Sequence, residues 1–206
     1  MHVALQLAQL LLVAWLPGAA LFRLPWWDRD RRAALDAEER LFWAVVLSAA
    51  LSLSIVLALA ALHRYSFTRL LLADALLVAA AGAIARLRLR LGPGAPRPGL
   101  TAIVPLALVL LGAWLFFPPA EYIIGGKDPG TYVNEGVQIA QRGTLVFHDP
   151  VVSSVPAFAR DLFFPQHEGA AEYGVRFMGF FITDPDTGAV VGQFPHLFPA
   201  SIAIGY

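Results

Sequence analysis

Four apolar stretches, each close to the length of a bilayer crossing, constrain this chain more than any other feature. They cover residues 3–22, 41–62, 67–85 and 100–117. A helix needs about 20 mostly apolar residues to cross the hydrocarbon core. None of the four carries a charge at its centre, although Asp74 lies inside the third. Charged residues make up 15% of the chain and hydrophobic ones 58%, whereas a soluble domain carries about 25% charged residues. The expectation is an all-α polytopic membrane protein with about four transmembrane helices. The formal net charge of zero argues against a nucleic-acid partner. The absence of cysteine excludes disulfides, thiolate metal sites and cysteine nucleophiles.

The arginines set an orientation. Arg23, Arg29, Arg31, Arg32 and Arg40 follow the first stretch, and Arg86, Arg88, Arg90 and Arg97 follow the third. Only Arg64, between the second and third, and Arg69, at the start of the third, belong to the loop that joins those two. The positive-inside rule then puts the first and third loops in the cytoplasm and the N-terminus outside, in a cell (inner or plasma) membrane. Trp26, Trp27, Trp43 and Trp114 lie near helix ends, where interfacial aromatics belong. No basic region precedes the first stretch, which is read as a retained helix rather than a signal peptide. Residues 33–40 are expected to form a short surface helix. The Pro/Gly run 92–99 (GPGAPRPG) reads as a linker. It separates a three-helix membrane module, 1–91, from a second module, 100–206.

The outer segment, 118–195, is too polar to span and too apolar to be disordered. Asp128-Pro129 predicts a helix start, with Asp128 as N-cap and Pro129 as first helical residue. Tyr132, Val133, Val137 and Ala140 recur at helical spacing, and Gly143 is the expected stop. Glu135 is placed on the solvated face of this helix. Residues 144–147 are expected to form a short strand, and 157–164 an interfacial turn or helix. Residues 175–183 and 189–194 read as two strands of a hairpin about the turn Asp184-Pro185-Asp186-Thr187-Gly188. The outer segment is thus a small α+β element. Residues 196–206 turn apolar again and read as the start of a fifth helix, as in the front part of a longer protein.

Asp128 is the first candidate for chemistry. A carboxylate held at a helix start by the lipid–water boundary can cap that helix and also act as general base for a hydroxyl acceptor. Asp149, before Pro150, is either a turn residue or a second carboxylate facing Asp128 that shares a divalent cation or positions the acceptor. Lys127, Arg142, Arg160 and Arg176 are outer-side cations of the kind a leaving phosphate needs. Lys127 is favoured because it adjoins Asp128. Asp184-x-Asp186 and Asp28-x-Asp30 have the spacing of a metal-binding pair, but one is a hairpin turn and the other a charged loop. His148, His167 and His196 fit no zinc spacing, and no protein metal site is expected. Asp74 is expected to form an ion pair with Arg69 or Arg64.

An Asp shortly after a membrane helix, then Gly-x-Tyr, an amphipathic helix, a Gly and a second Asp, resembles the GT-C glycosyltransferases. The matching positions are Asp128, Gly130, Tyr132, Gly143 and Asp149. Residues 193–199 (QFPHLFP) are similar to the stretch that opens the next membrane helix in many members. Here three helices precede the Asp, where many members have one. The resemblance covers roughly the last half of the chain. It implies a multi-pass enzyme that moves a sugar from a polyprenyl-phosphate carrier to an acceptor on the outer face. In that reading Asp128 and Asp149 are catalytic, and Lys127, Tyr132, Arg142 and His196 contact substrate. A divalent cation is left open, and the bilayer, the lipid-linked donor and an unidentified acceptor are the partners. The alternative is a non-enzymatic membrane scaffold whose outer hairpin contacts a protein or glycan.

Overall fold

The computed structural model describes residues 2–26, 28–86, 89, 100–116, 127–164, 174–177 and 179–206. Most described residues are helical: α1 (His2–Phe22), α2 (Arg29–Ala34), α3 (Ala37–Ala61), α4 (Phe67–Ile84), α5 (Ile103–Phe116), α6 (Lys127–Arg142), α7 (Pro150–Ser154), α8 (Arg160–Phe163) and α9 (Leu197–Gly205). Four short strands accompany them: β1 (Phe147–His148), β2 (Gly174–Phe177), β3 (Phe180–Asp184) and β4 (Ala189–Gly192). The chain divides into two compact units. Unit 1 is Met1–Ser52 with Leu70–Glu121, and unit 2 is Leu53–Arg69 with Tyr122–Tyr206.

Two described helices, α3 and α4, are long and apolar enough to cross a membrane, against the four expected. The apolar parts Ala8–Phe22 of α1 and Ile103–Phe116 of α5 are shorter. The start of α5 is set locally. Its apolar run opens with a 3-10 turn, Leu100–Ala102, and Pro105 sits in the first helical turn, where its missing N–H costs nothing. The described part of α5 has 14 residues, and residues 117–126 after it lie outside the described residues. Trp26, Trp43 and Trp114 are exposed. Trp27, the linker 92–99 and most of the arginines after α4 lie outside the described residues.

Unit 1 packs through small residues. Pro17 lies inside α1 and cannot donate to the Val13 carbonyl four residues earlier. The Ser48 and Ser52 hydroxyls of α3 lie 2.9 Å and 3.1 Å from that oxygen. Gly18 lets the two backbones close up, since a Cβ there would sit 2.0 Å from the Ala44 carbonyl oxygen. Asp74 is buried and does not pair with arginine as expected. Its Oδ2 lies 3.1 Å from the Ser52 hydroxyl, and its Oδ1 has no partner among the described residues. Arg69 instead donates to the Arg64 carbonyl at 2.7 Å. The short helix expected at 33–40 is replaced by α2 and by an earlier start of α3. A capping box explains that start: the Asp36 N–H donates to the Glu39 carboxylate three residues on, at 3.2 Å.

Unit 2 is built on an antiparallel sheet in the order β1-β4-β3-β2. The β3–β4 hairpin forms about the predicted turn, with Phe181 opposite Val191 and Ile182 opposite Val190. The run expected as one strand, 175–183, is two strands, β2 and β3. Gly179 lies at their junction with a φ of +92°, a backbone region that side chains disfavour. Phe180 and Ile182 alternate inward on β3, as a strand's period of two requires. With Val152, Phe164 and Val190 they form the core, and Phe147 and Val155 pack against it.

Candidate functional site

The site belongs to unit 2 and is built on α6. Glycine allows the other elements to approach this helix closely. A Cβ at Gly136 would sit 2.6 Å from the Ile202 side chain of α9. A Cβ at Gly179 would fall 1.9 Å from the Thr131 hydroxyl, and one at Gly192 would fall 2.2 Å from Glu135 Oε2. At its end α6 stops on Gly143, with a φ of +70°, whose carbonyl accepts from the Tyr65 N–H at 3.1 Å. The Tyr65 hydroxyl donates to the Ala203 carbonyl at 2.9 Å, tying α9 to the same place. Burial pushes that phenol up to about 12. Thr144 meets His63 Nδ1 at 2.6 Å.

The buried face of α6 is set by Thr131, Glu135 and Ile139, spaced four apart, and not by Val133, Val137 and Ala140, which are half-buried. Glu135 is therefore not solvated. It is fully buried, and Oε1 meets His196 Nδ1 at 2.5 Å. Its Oε2 has no partner among the described residues. The Glu135 bond raises the His196 pKa above its usual value, burial opposes this, and the carboxylate's charge adds to the rise. The His196 side chain keeps 31% exposure. One turn earlier on α6, the Tyr132 ring lies 5.1 Å from that of Phe194 and 5.4 Å from that of Phe198. Beside these rings an apolar cavity of about 340 Å³ is lined by Leu53, Tyr132, Pro195, Leu197, Phe198 and Ser201.

Asp128 sits in the first turn of α6, one residue inside the helix rather than at its cap, because Lys127 is already helical. It is exposed, and no hydrogen bond or ion pair engages it among the described residues. The Lys127 side chain lies outside the described residues. Asp149 caps α7: its Oδ1 accepts from the Val151 N–H at 2.8 Å, and its Oδ2 accepts from Arg176 Nε at 2.6 Å. Burial pushes its carboxyl up, but the Arg176 and Val151 bonds outweigh this and hold it below the usual range.

The other cations also have work. Arg160 pairs with Asp186 at 2.6 Å, and the Arg142 guanidinium lies 5.2 Å from the Phe147 ring centre. The Asp184 carboxylate accepts from the Asp186 N–H and the Thr187 hydroxyl, so Asp184-x-Asp186 is a turn. No group of three or more His, Asp or Glu that could hold a metal ion occurs among the described residues. His167 lies outside them.

The arrangement offers three things. Asp128 is a carboxylate open to solvent, able to accept a proton or a hydroxyl hydrogen bond. Glu135 fixes the His196 ring by taking up Nδ1, as a carboxylate orients an acid–base histidine. Tyr132, Phe194 and Phe198 give an apolar wall beside them. Glu135 escaped the sequence reading because its burial depends on α9 and β4 closing over α6. The four-residue spacing to Thr131 and Ile139 was the one local signal. Comparison with known protein families, with curated proteins and with solved structures finds no match.

Proposed function

We propose that this chain is a membrane glycosyltransferase, or the front part of one, acting on the outer face of the bilayer. The donor is a sugar on a polyprenyl phosphate and the acceptor is a hydroxyl compound. The state of Asp128 carries the reading. Among the described residues it is the carboxylate of the site that is exposed and has no hydrogen bond or ion pair, whereas Glu135 is committed to His196 and Asp149 to Arg176. In the reaction the acceptor oxygen bonds to the sugar's anomeric carbon as the bond to phosphate breaks. The electron pair leaves with the polyprenyl phosphate, and Asp128 takes the acceptor proton. Asp149 keeps Arg176 in place, and Tyr132 and His196 contact the substrate, whereas Arg142 lies at the far end of α6. The reading takes all four apolar stretches as membrane segments, the shorter two tilting little or thinning the bilayer locally.

The test is transfer of radiolabelled sugar from polyprenyl phosphate by the full protein in vesicles. Asp128→Asn is expected to lower the rate by about 10²-fold or more, the range of general acid–base contributions. Transfer by Asp128→Asn at the unaltered protein's rate would overturn the assignment.

A further inference from the structure

Three large apolar side chains are exposed on one short segment of unit 2. Phe158 is 90% exposed, Leu162 84% and Phe163 65%. Phe158 lies in a 3-10 turn (Ala157–Ala159), and Leu162 and Phe163 lie in α8, which follows it directly. The same segment turns Ala159 and Phe164 inward, and Phe164 packs with Val152 of α7 in the sheet core. It is therefore held firmly to the fold while its outer face stays apolar. Isolated exposed apolar residues are ordinary, but three large ones within one short segment are not.

We infer that this face is a shallow membrane anchor, with Phe158, Leu162 and Phe163 seated among the headgroups and upper acyl chains of a lipid bilayer. The inference rests on the reading that α3 and α4 cross a membrane. Unit 2 includes Leu53–Arg69, which contains the end of α3, the start of α4 and the turn between them. A unit that holds the outer ends of two spans is already at a bilayer surface, and an apolar face on it needs no further partner to be covered. The size of the patch points the same way. Together with Val151 it exposes on the order of 500 Å². A stable protein interface needs about 800 Å² from each partner with a complementary shape. Insertion of a few aromatic and leucine side chains into the interfacial layer needs neither.

The charges fit a neutral bilayer. Arg160 is held by Asp186, and the Asp161 carboxylate is exposed beside Leu162. Anchoring is therefore expected to be apolar, with no requirement for anionic lipid.

The chain has no cysteine, so single thiols can be placed at will. Phe158→Cys and Leu162→Cys remove side chains that pack against little, and the fold should survive them. Each is labelled with a nitroxide in the full chain and reconstituted in phosphatidylcholine vesicles. Collisions with oxygen, which concentrates in lipid, are compared with collisions with a water-soluble nickel chelate. The anchor predicts several-fold more oxygen than nickel contact at both positions, unchanged when anionic lipid is added. Dominant nickel contact places the face in water and overturns the inference. Suppression of both probes means that protein, a second copy included, covers the face, which also overturns it. Flotation with the vesicles separates the two readings. A chain that fails to float defeats the membrane reading and the anchor together, whereas one that floats with water-exposed labels defeats the anchor alone.

Discussion

Glu135 and His196 set the local electrostatics of the site. A fully buried carboxylate with one charged partner depends on that partner staying protonated, because an unpaired buried charge is costly. The sign follows from linkage. The His196 pKa is raised in the folded protein, so its contribution is complete below the usual value of 6.5 and is lost as pH rises through the higher folded value. Asp149 has the opposite sign. Its pKa is lowered, so its contribution is present above the usual 3.8 and is lost as pH falls through the folded value. Unit 2 should therefore be firmest between these limits. Melting curves of the purified protein are expected to give a lower Tm at pH 9 than at pH 6. Glu135→Gln, which keeps the shape and removes the charge, should flatten that alkaline limb and leave the acid limb unchanged. An alkaline limb of equal steepness in Glu135→Gln would show that the pair does not govern it.

At the level of elements, α6 and the hairpin were legible and their docking was not. Asp128-Pro129 and Gly143 mark the two ends of α6 because start and stop are local chemistry. The observed helix already includes Lys127, two residues before the expected first helical residue Pro129, and stops as expected. The turn at 184–188 was readable for the same reason, its Asp184 carboxylate closing the loop on its own backbone. The buried stripe of α6 was misread because Tyr132, Val133, Val137 and Ala140 are apolar, whereas contact with β4 and α9 selects Glu135. The partner of Asp149, Arg176, is 27 residues away, beyond any local pattern. The break between β2 and β3 turns on Gly179, whose need for a hydrogen side chain appears only when Thr131 is in place. Gly179→Ala is expected to destabilise unit 2 by roughly 2–4 kcal/mol, from backbone strain and overpacking together. Chemical unfolding in detergent measures it, and a change below about 0.5 kcal/mol would mean that the sheet does not rest on α6 this way.

For the whole molecule, two of the four apolar runs, those of α3 and α4, are long and apolar enough to cross a membrane among the described residues. Before α5 the apolar run includes a 3-10 turn, Leu100–Ala102, which hydropathy alone does not distinguish from α-helix. The transferase reading depends on where unit 2 lies with respect to the bilayer, because a lipid-linked sugar offered outside can meet Asp128 only there. The direct measurement is thiol labelling of a single cysteine at Ser154, exposed in α7, in the full protein in intact cells. A membrane-impermeant maleimide should label Ser154→Cys without permeabilisation. Labelling that appears only after the cells are opened would put unit 2 in the cytoplasm and contradict the account.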